Sequence, residues 1–191
     1  MFHHIKGKIT EVNPAYVIIE TAGIGYEVNI TLNTFSELSK LKEAFLYLLP
    51  IFKEDSQTLF GFADKREREI FSKLLSVSGV GGNTARVILS SLSADEAINA
   101  IASENVGLLK SVKGIGAKTA QRIIVDLKDK VGGVEALGAE GGMSNIASEA
   151  VAALEVLGYN SRQTEKVILN LQKENPQQSL ESLIKQALNK L

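Results

Sequence analysis

The chain writes one phrase of 13 residues twice: VSGVGGNTARVIL from Val77 to Leu89, and VKGIGAKTAQRII from Val112 to Ile124. Gly-x-Gly, Thr and Ala fall at the same places in both copies, so whatever the glycines do is done twice. A dinucleotide-binding loop needs a buried strand before the glycines and an acidic residue about 20 positions on. Both flanks here have helical periodicity instead. A Walker A loop needs Gly, four residues, then Gly-Lys-Ser/Thr. Ala117 precedes Lys118 and Val112 stands where the first Gly belongs, so that reading fails too.

The reading that fits is the helix-hairpin-helix, in which an apolar-x-Gly-apolar-Gly turn joins two helices. Its glycines adopt conformations closed to other residues and let a phosphodiester approach the backbone. Amides at the start of the second helix then point at the phosphate, aided by the helix dipole. Gly79, Gly81, Gly82, Asn83, Thr84 and Arg86 are the candidate phosphate-binding residues of the first copy. Lys113, Gly114, Gly116, Lys118, Thr119 and Arg122 are those of the second. Val80 and Ile115 are expected to plug into the small core, with Ala85 and Ala120 allowing the helices to pack closely. The competing reading is that both glycine turns merely connect helices, as at many C-caps.

Up to Phe62 the pattern is β-rich: HHIKGKITEV, AYVIIET after Asn13-Pro14, YEVNITL after Gly23-Ile24-Gly25, AFLYLLPIFK and QTLFGF. Only one short helix fits, near Thr34 to Lys40. Five strands of this spacing predict an OB-type barrel, with an SH3-like barrel as the alternative. At Asp64 the period turns helical, and Asp64 with Glu67 resembles a capping box, as does Ser93 with Glu96. About five short helices follow to Lys130. Val131 to Ser148, rich in Gly, Ala and Glu, reads as a flexible linker. Beyond it, one helix ends at Gly158, a second starts at Asn160, and a stripe from Leu180 to Leu191 marks a third. The expected class is α+β and multi-domain: an OB-fold barrel (1–63), an all-α tandem helix-hairpin-helix domain (64–130), a linker (131–148) and a three-helix domain (149–191).

Net charge is −1, which by itself argues against a nucleic-acid binder. By segment the picture changes: 64–130 carries 11 basic and 8 acidic residues, whereas 1–63 and 131–191 each carry 5 and 7. The repeated turns lie in the one net-positive segment, and uncharged backbone amides supply part of the recognition. With no Cys, disulfides, thiolate metal sites and Cys nucleophiles are excluded together. His3 and His4 are expected on opposite faces of the first strand, which makes them poor joint metal ligands. Acidic residues in REREIF and VDLKDK interleave with basic ones, as on a solvated helical face. No cofactor, metal or catalytic constellation is expected, and the apolar runs are too short to span a membrane.

The barrel beginning IKGKITEV, the hairpin FKEDSQTLFGF, the paired turns, the Gly-rich stretch and a tail with LEVLGY together resemble the RuvA family of Holliday junction branch-migration proteins. The resemblance runs along essentially the whole chain, and the order of motifs is more specific than any one of them. It implies a homotetramer around four-way junction DNA, with the barrel near the centre and the paired turns holding the duplex arms. It implies a tethered third domain that contacts the hexameric ATPase RuvB, and RuvC junction endonuclease as a further partner. The chain would then be a non-catalytic helicase subunit in the bacterial cytoplasm; the alternative is a general duplex-binding repair module.

The resemblance also assigns Glu54 and Asp55 to an acidic pin facing the junction centre, although by residue type Asp55-Ser56 equally describes a simple turn. Leu154, Leu157 and Tyr159 are candidates for the RuvB contact, the alternative being the core of the three-helix domain. Asn83 and Ala117 depart from the family pattern, since each stands where a basic residue is common. Both departures remove positive charge from the turns.

Overall fold

The computed structural model describes residues 2–131, 145–175 and 178–191. Its contacts divide the chain into two compact units, Met1–Glu135 and Ala136–Leu191.

The first unit opens with β1 (His4–Val12), β2 (Tyr16–Thr21), β3 (Ile24–Asn29), β4 (Glu43–Phe52) and β5 (Gln57–Phe62). They pair in the order β1-β2-β3-β5-β4, and β4 returns to β1 to close a barrel. This order decides for the OB type. Alternation fills the interior with Val17 and Ile19 of β2 and Ala44, Leu46 and Leu48 of β4, joined by Ile5, Val28 and Ile30. The third strand stops short of the expected YEVNITL because the Thr31 hydroxyl accepts the Thr34 N–H and so starts helix α1 (Leu32–Leu38).

Five helices follow, as the periodicity predicts: α2 (Lys65–Leu75), α3 (Gly82–Ser91), α4 (Ala94–Ala102), α5 (Val106–Ser111) and α6 (Ala117–Leu127). Their core includes Phe71, Leu74, Ile88, Ile101, Ile123 and Leu127, and it also takes Phe60 and Phe62 from β5. The Phe71 ring lies 5.0 Å from that of Phe60 and 4.8 Å from that of Phe62. Barrel and helices therefore share packing at the last strand, and the whole turn-bearing segment is fixed against it.

Asp64 caps α2 by accepting the Arg66 N–H, but Glu67 does not complete the expected capping box. Its carboxylate turns inward and accepts from Thr31 Oγ1 at 2.5 Å and Thr34 Oγ1 at 2.8 Å. The two hydroxyls at the start of α1 give it buried partners that the box could not. Burial holds the Glu67 carboxyl above the usual carboxylate range, the two hydroxyl bonds opposing that shift. Ser93 and Glu96 do form the expected box.

The second unit contains α7 (Asn145–Val156), α8 (Ser161–Glu174) and α9 (Leu180–Leu188). They pack on Ala150, Leu154, Ile168, Leu171, Leu183 and Ala187. Gly158, at φ +97°, ends the first helix as expected, and the Tyr159 N–H donates back to Leu154 O at 3.1 Å. Of the expected linker, 132–144 lie outside the described residues. Its two ends are corrected: Val131 is buried in the helical core of the first unit, and α7 already begins at Asn145, where Ile146 and Ala147 pack against the tail core.

Candidate nucleic-acid interface

The two turns have the same backbone. Gly79 and Gly114 sit at φ +89° and +88°, a region that disfavours any side chain. The Val80 N–H donates to Val77 O at 3.0 Å, and the Ile115 N–H to Val112 O at 3.1 Å. Val80 and Ile115 are buried, and Ala85 and Ala120 are fully enclosed, as expected.

The second glycine of each turn has a different role. Gly81 and Gly116 are the N-caps of α3 and α6, in extended conformations open to any residue. A Cβ on either would meet nothing within 4 Å, so the backbone there faces open space. The other helices of this unit are capped by side chains: Thr31, Asp64, Ser93 and Asn105 accept the amides of α1, α2, α4 and α5. No side chain caps α3 or α6. The first amides of these two helices are therefore left for an outside acceptor, at the positive end of a helix dipole.

Charge distinguishes the copies. Lys113 and Lys118 stand exposed beside the second turn, where the first has Ser78 and Asn83. Thr84 and Thr119 are half-buried at matching places.

Three residues read as phosphate contacts also make contacts within the protein. A Cβ on Gly82 would lie 2.7 Å from Phe60 Cζ and 3.0 Å from Ile51 Cδ1, so this glycine lets α3 approach the barrel. Arg86 Nη1 donates to Ala15 O and to Asn29 Oδ1, both at 3.0 Å, tying α3 to the barrel. Arg122 of α6 reaches away from its own turn and donates from Nη1 to Ser78 O at 3.1 Å. Their local sequence carries no sign of these partners.

Glu54 and Asp55 form the exposed tip of the β4–β5 hairpin, where Phe52 pairs with Gln57 and the Lys53 N–H closes on Ser56 O at 2.8 Å. None of the ion pairs among the described residues includes them. Ile51, which packs toward Gly82, belongs to the same hairpin, so the first turn and the acidic tip share one support.

The histidine expectation is corrected. His3 lies just before β1, its carbonyl still accepting the Leu48 N–H at 2.7 Å, and its Nδ1 approaches His4 Nδ1 to 3.2 Å rather than lying across the sheet from it. The His4 ring stacks on Phe45 with centroids 5.0 Å apart. Among the described residues no group of three or more His, Cys, Asp or Glu could hold a metal, and no helix is long and apolar enough to cross a membrane.

In the tail, Leu154 is fully buried and belongs to the three-helix core. Leu157 is 61% exposed and Tyr159 38%, and sequence reasoning missed their neighbour Val156, at 88%.

A closed five-stranded barrel, packed through its last strand on a helical core that carries two matched Gly-x-Gly hairpins, defines a helix-hairpin-helix protein on an OB-type base. Family profiles divide the chain the same way: RuvA N terminal domain at residues 1–61, SAM-like Helix-hairpin-helix tandem at 71–129, and RuvA, C-terminal domain at 145–191. The chain is 54% identical over 195 residues to the Holliday junction branch migration complex subunit RuvA of Christiangramia forsetii, covering the whole of both. It is 48% identical over 201 residues to that of Bacteroides thetaiotaomicron and 47% over 193 to that of Flavobacterium psychrophilum, again with both chains fully covered. The chain belongs to the RuvA family.

Proposed function

We propose that the chain binds four-way DNA junctions as the non-catalytic subunit of a Holliday junction branch migration complex, gripping duplex arms by their phosphates at the two hairpin turns. One observation carries this reading: among the described helices of the first unit, the two without side-chain caps are the two that follow the repeated glycines. Gly81 and Gly116 admit the phosphates to the amides, and Asn83, Thr84, Lys113, Lys118 and Thr119 line the approach. Contacts of this kind position the protein without reading bases, which suits a complex that must act at any sequence. They also let a chain of net charge −1 hold a polyanion.

Family membership supports a tetramer around the crossover. Four copies of Glu54 and Asp55 near a four-fold axis would repel phosphates and keep the centre open. The exposed apolar run Val156, Leu157 and Tyr159 is the proposed docking surface for the RuvB ATPase, which supplies ATP hydrolysis. RuvC acts on the same junction, in the bacterial cytoplasm.

Gel shifts of a four-way junction against linear duplex, with native mass measured in parallel, test the reading. Preferential junction binding by a tetramer supports it; equal affinity for both would make the chain a general duplex-binding module. A chain ending after Val131 should keep junction binding and lose stimulation of RuvB. Retained stimulation would remove the tail as the motor contact.

A further inference from the structure

The repeats align residue by residue, with Ser78 opposite Lys113, Asn83 opposite Lys118 and Val87 opposite Arg122. At all three positions where the second copy has a cation, the first has none. Two phosphate sites with one backbone would then differ greatly in strength. The Arg122 guanidinium, however, is not at its own turn. Its Nη1 donates to Ser78 O at 3.1 Å and lies 4.0 Å from where a Cβ on Gly79 would stand, against the left-handed glycine of the first turn. Val87, in the matching place on α3, has nothing to offer in return. The pseudo-symmetry is broken in one direction only.

We propose that Arg122 is the cationic phosphate ligand of the first turn, lent to it by the second repeat. The guanidinium is a planar fork with five N–H donors. One bond to Ser78 O fixes that plane against the first turn, and the other donors can meet a phosphodiester held at that turn. A lysine ammonium could bond both groups, but it has no plane for the carbonyl bond to fix. The first turn thus gains a charge although its own Arg86 is tied to the barrel, and the bond that orients the charge also holds the two turns together. This inference rests on the turns being phosphate sites.

Double-mutant cycles on four-way junction affinity test it, using Gly81→Val to obstruct the first turn and Lys118→Ala to weaken the second. Arg122→Ala should weaken binding about tenfold, as for a hydrogen bond to a charged group. The salt slope should shrink by about 0.9, one phosphate contact. In the Gly81→Val background the same change should cost less than about twofold, while in the Lys118→Ala background the full loss should remain. Arg122→Gln, which removes the charge and keeps a shorter polar side chain, should show the same loss of slope, with its melting temperature measured in parallel as the check on folding. Coupling to Lys118→Ala as large as that to Gly81→Val would overturn the proposal, as would an unchanged salt slope. Normal binding by both Gly81→Val and Lys118→Ala would instead overturn the phosphate reading of the turns.

Discussion

The first and second turns have left-handed glycines at φ +89° and +88°, yet they are held differently. The first is fastened to the barrel. Gly82 fits against Phe60 and Ile51, Arg86 reaches Ala15 and Asn29, and Asn33 Nδ2 donates to Leu89 O at 2.6 Å and Leu92 O at 3.1 Å. The second turn stands on exposed, charged ground, with Lys113 and Lys118 beside it. The copies share the conformation of the left-handed glycine, while their side chains give one its position and the other its charge. A repeat can therefore keep its function while its side chains separate into anchorage and electrostatics.

The widest separation should appear on adding bulk at the first helical residue of each copy. Gly82→Val must push into Phe60 and Ile51 and should cost up to about 3 kcal/mol, the scale of overpacking in a close-packed core. Ala117→Val, at the matching exposed position, should cost less than about 1 kcal/mol. Equal falls in melting temperature would break the comparison.

Next comes the contrast between two cations. Arg86→Ala removes the donor to the Asn29 side chain and leaves the Ala15 carbonyl with only the Ile30 N–H, and it should cost about 1 kcal/mol of stability, with the salt slope of junction binding unchanged. Lys118→Ala should do the reverse, leaving melting unaltered and reducing the slope by about 0.9. A slope change in Arg86→Ala would return that residue to the DNA surface.

The smallest effect concerns Glu67, which joins α2 to the start of α1. A carboxyl whose folded pKa is raised contributes stability fully present below its unfolded pKa and lost as pH rises through the folded value. The native protein should therefore lose some stability between the ordinary carboxylate range and that higher value. Glu67→Gln keeps a donor and an acceptor for Thr31 and Thr34 without a charge, so its melting temperature should gain on the native protein as pH rises through this window. Parallel pH profiles would contradict the assignment.

What was legible in the sequence was local. Strand alternation, helical period, the Ser93–Glu96 box and the paired glycines each declare themselves within a few residues, whereas strand spacing left OB-type and SH3-like barrels open until the pairing order decided between them. The turns were legible as backbone: Gly79 and Gly114 take the left-handed conformation, and Gly81 and Gly116 face open space. Side-chain roles set by distant partners were hidden. Glu67 meets Thr31 across 36 positions, Arg86 meets Ala15 across 71, and Arg122 meets Ser78 across 44. Leu154 differed from Leu157 only through its place on the buried side of α7, while the carbonyls and ring edges that engage Arg122 and Gly82 leave no mark in residue type.

The central claim is that DNA is held by bare amides at the start of α3 and α6, and Gly116→Val tests it most directly. Gly116 has an extended backbone and no atom within 4 Å of its Cβ position, so neither conformation nor packing requires glycine there. The substitution should cost only the N-cap preference, about 1 kcal/mol. It should nevertheless abolish most four-way junction binding, because the side chain occupies the space a phosphate needs, and the affinity should not return at low salt. A folded Gly116→Val protein that binds junctions normally would contradict the account.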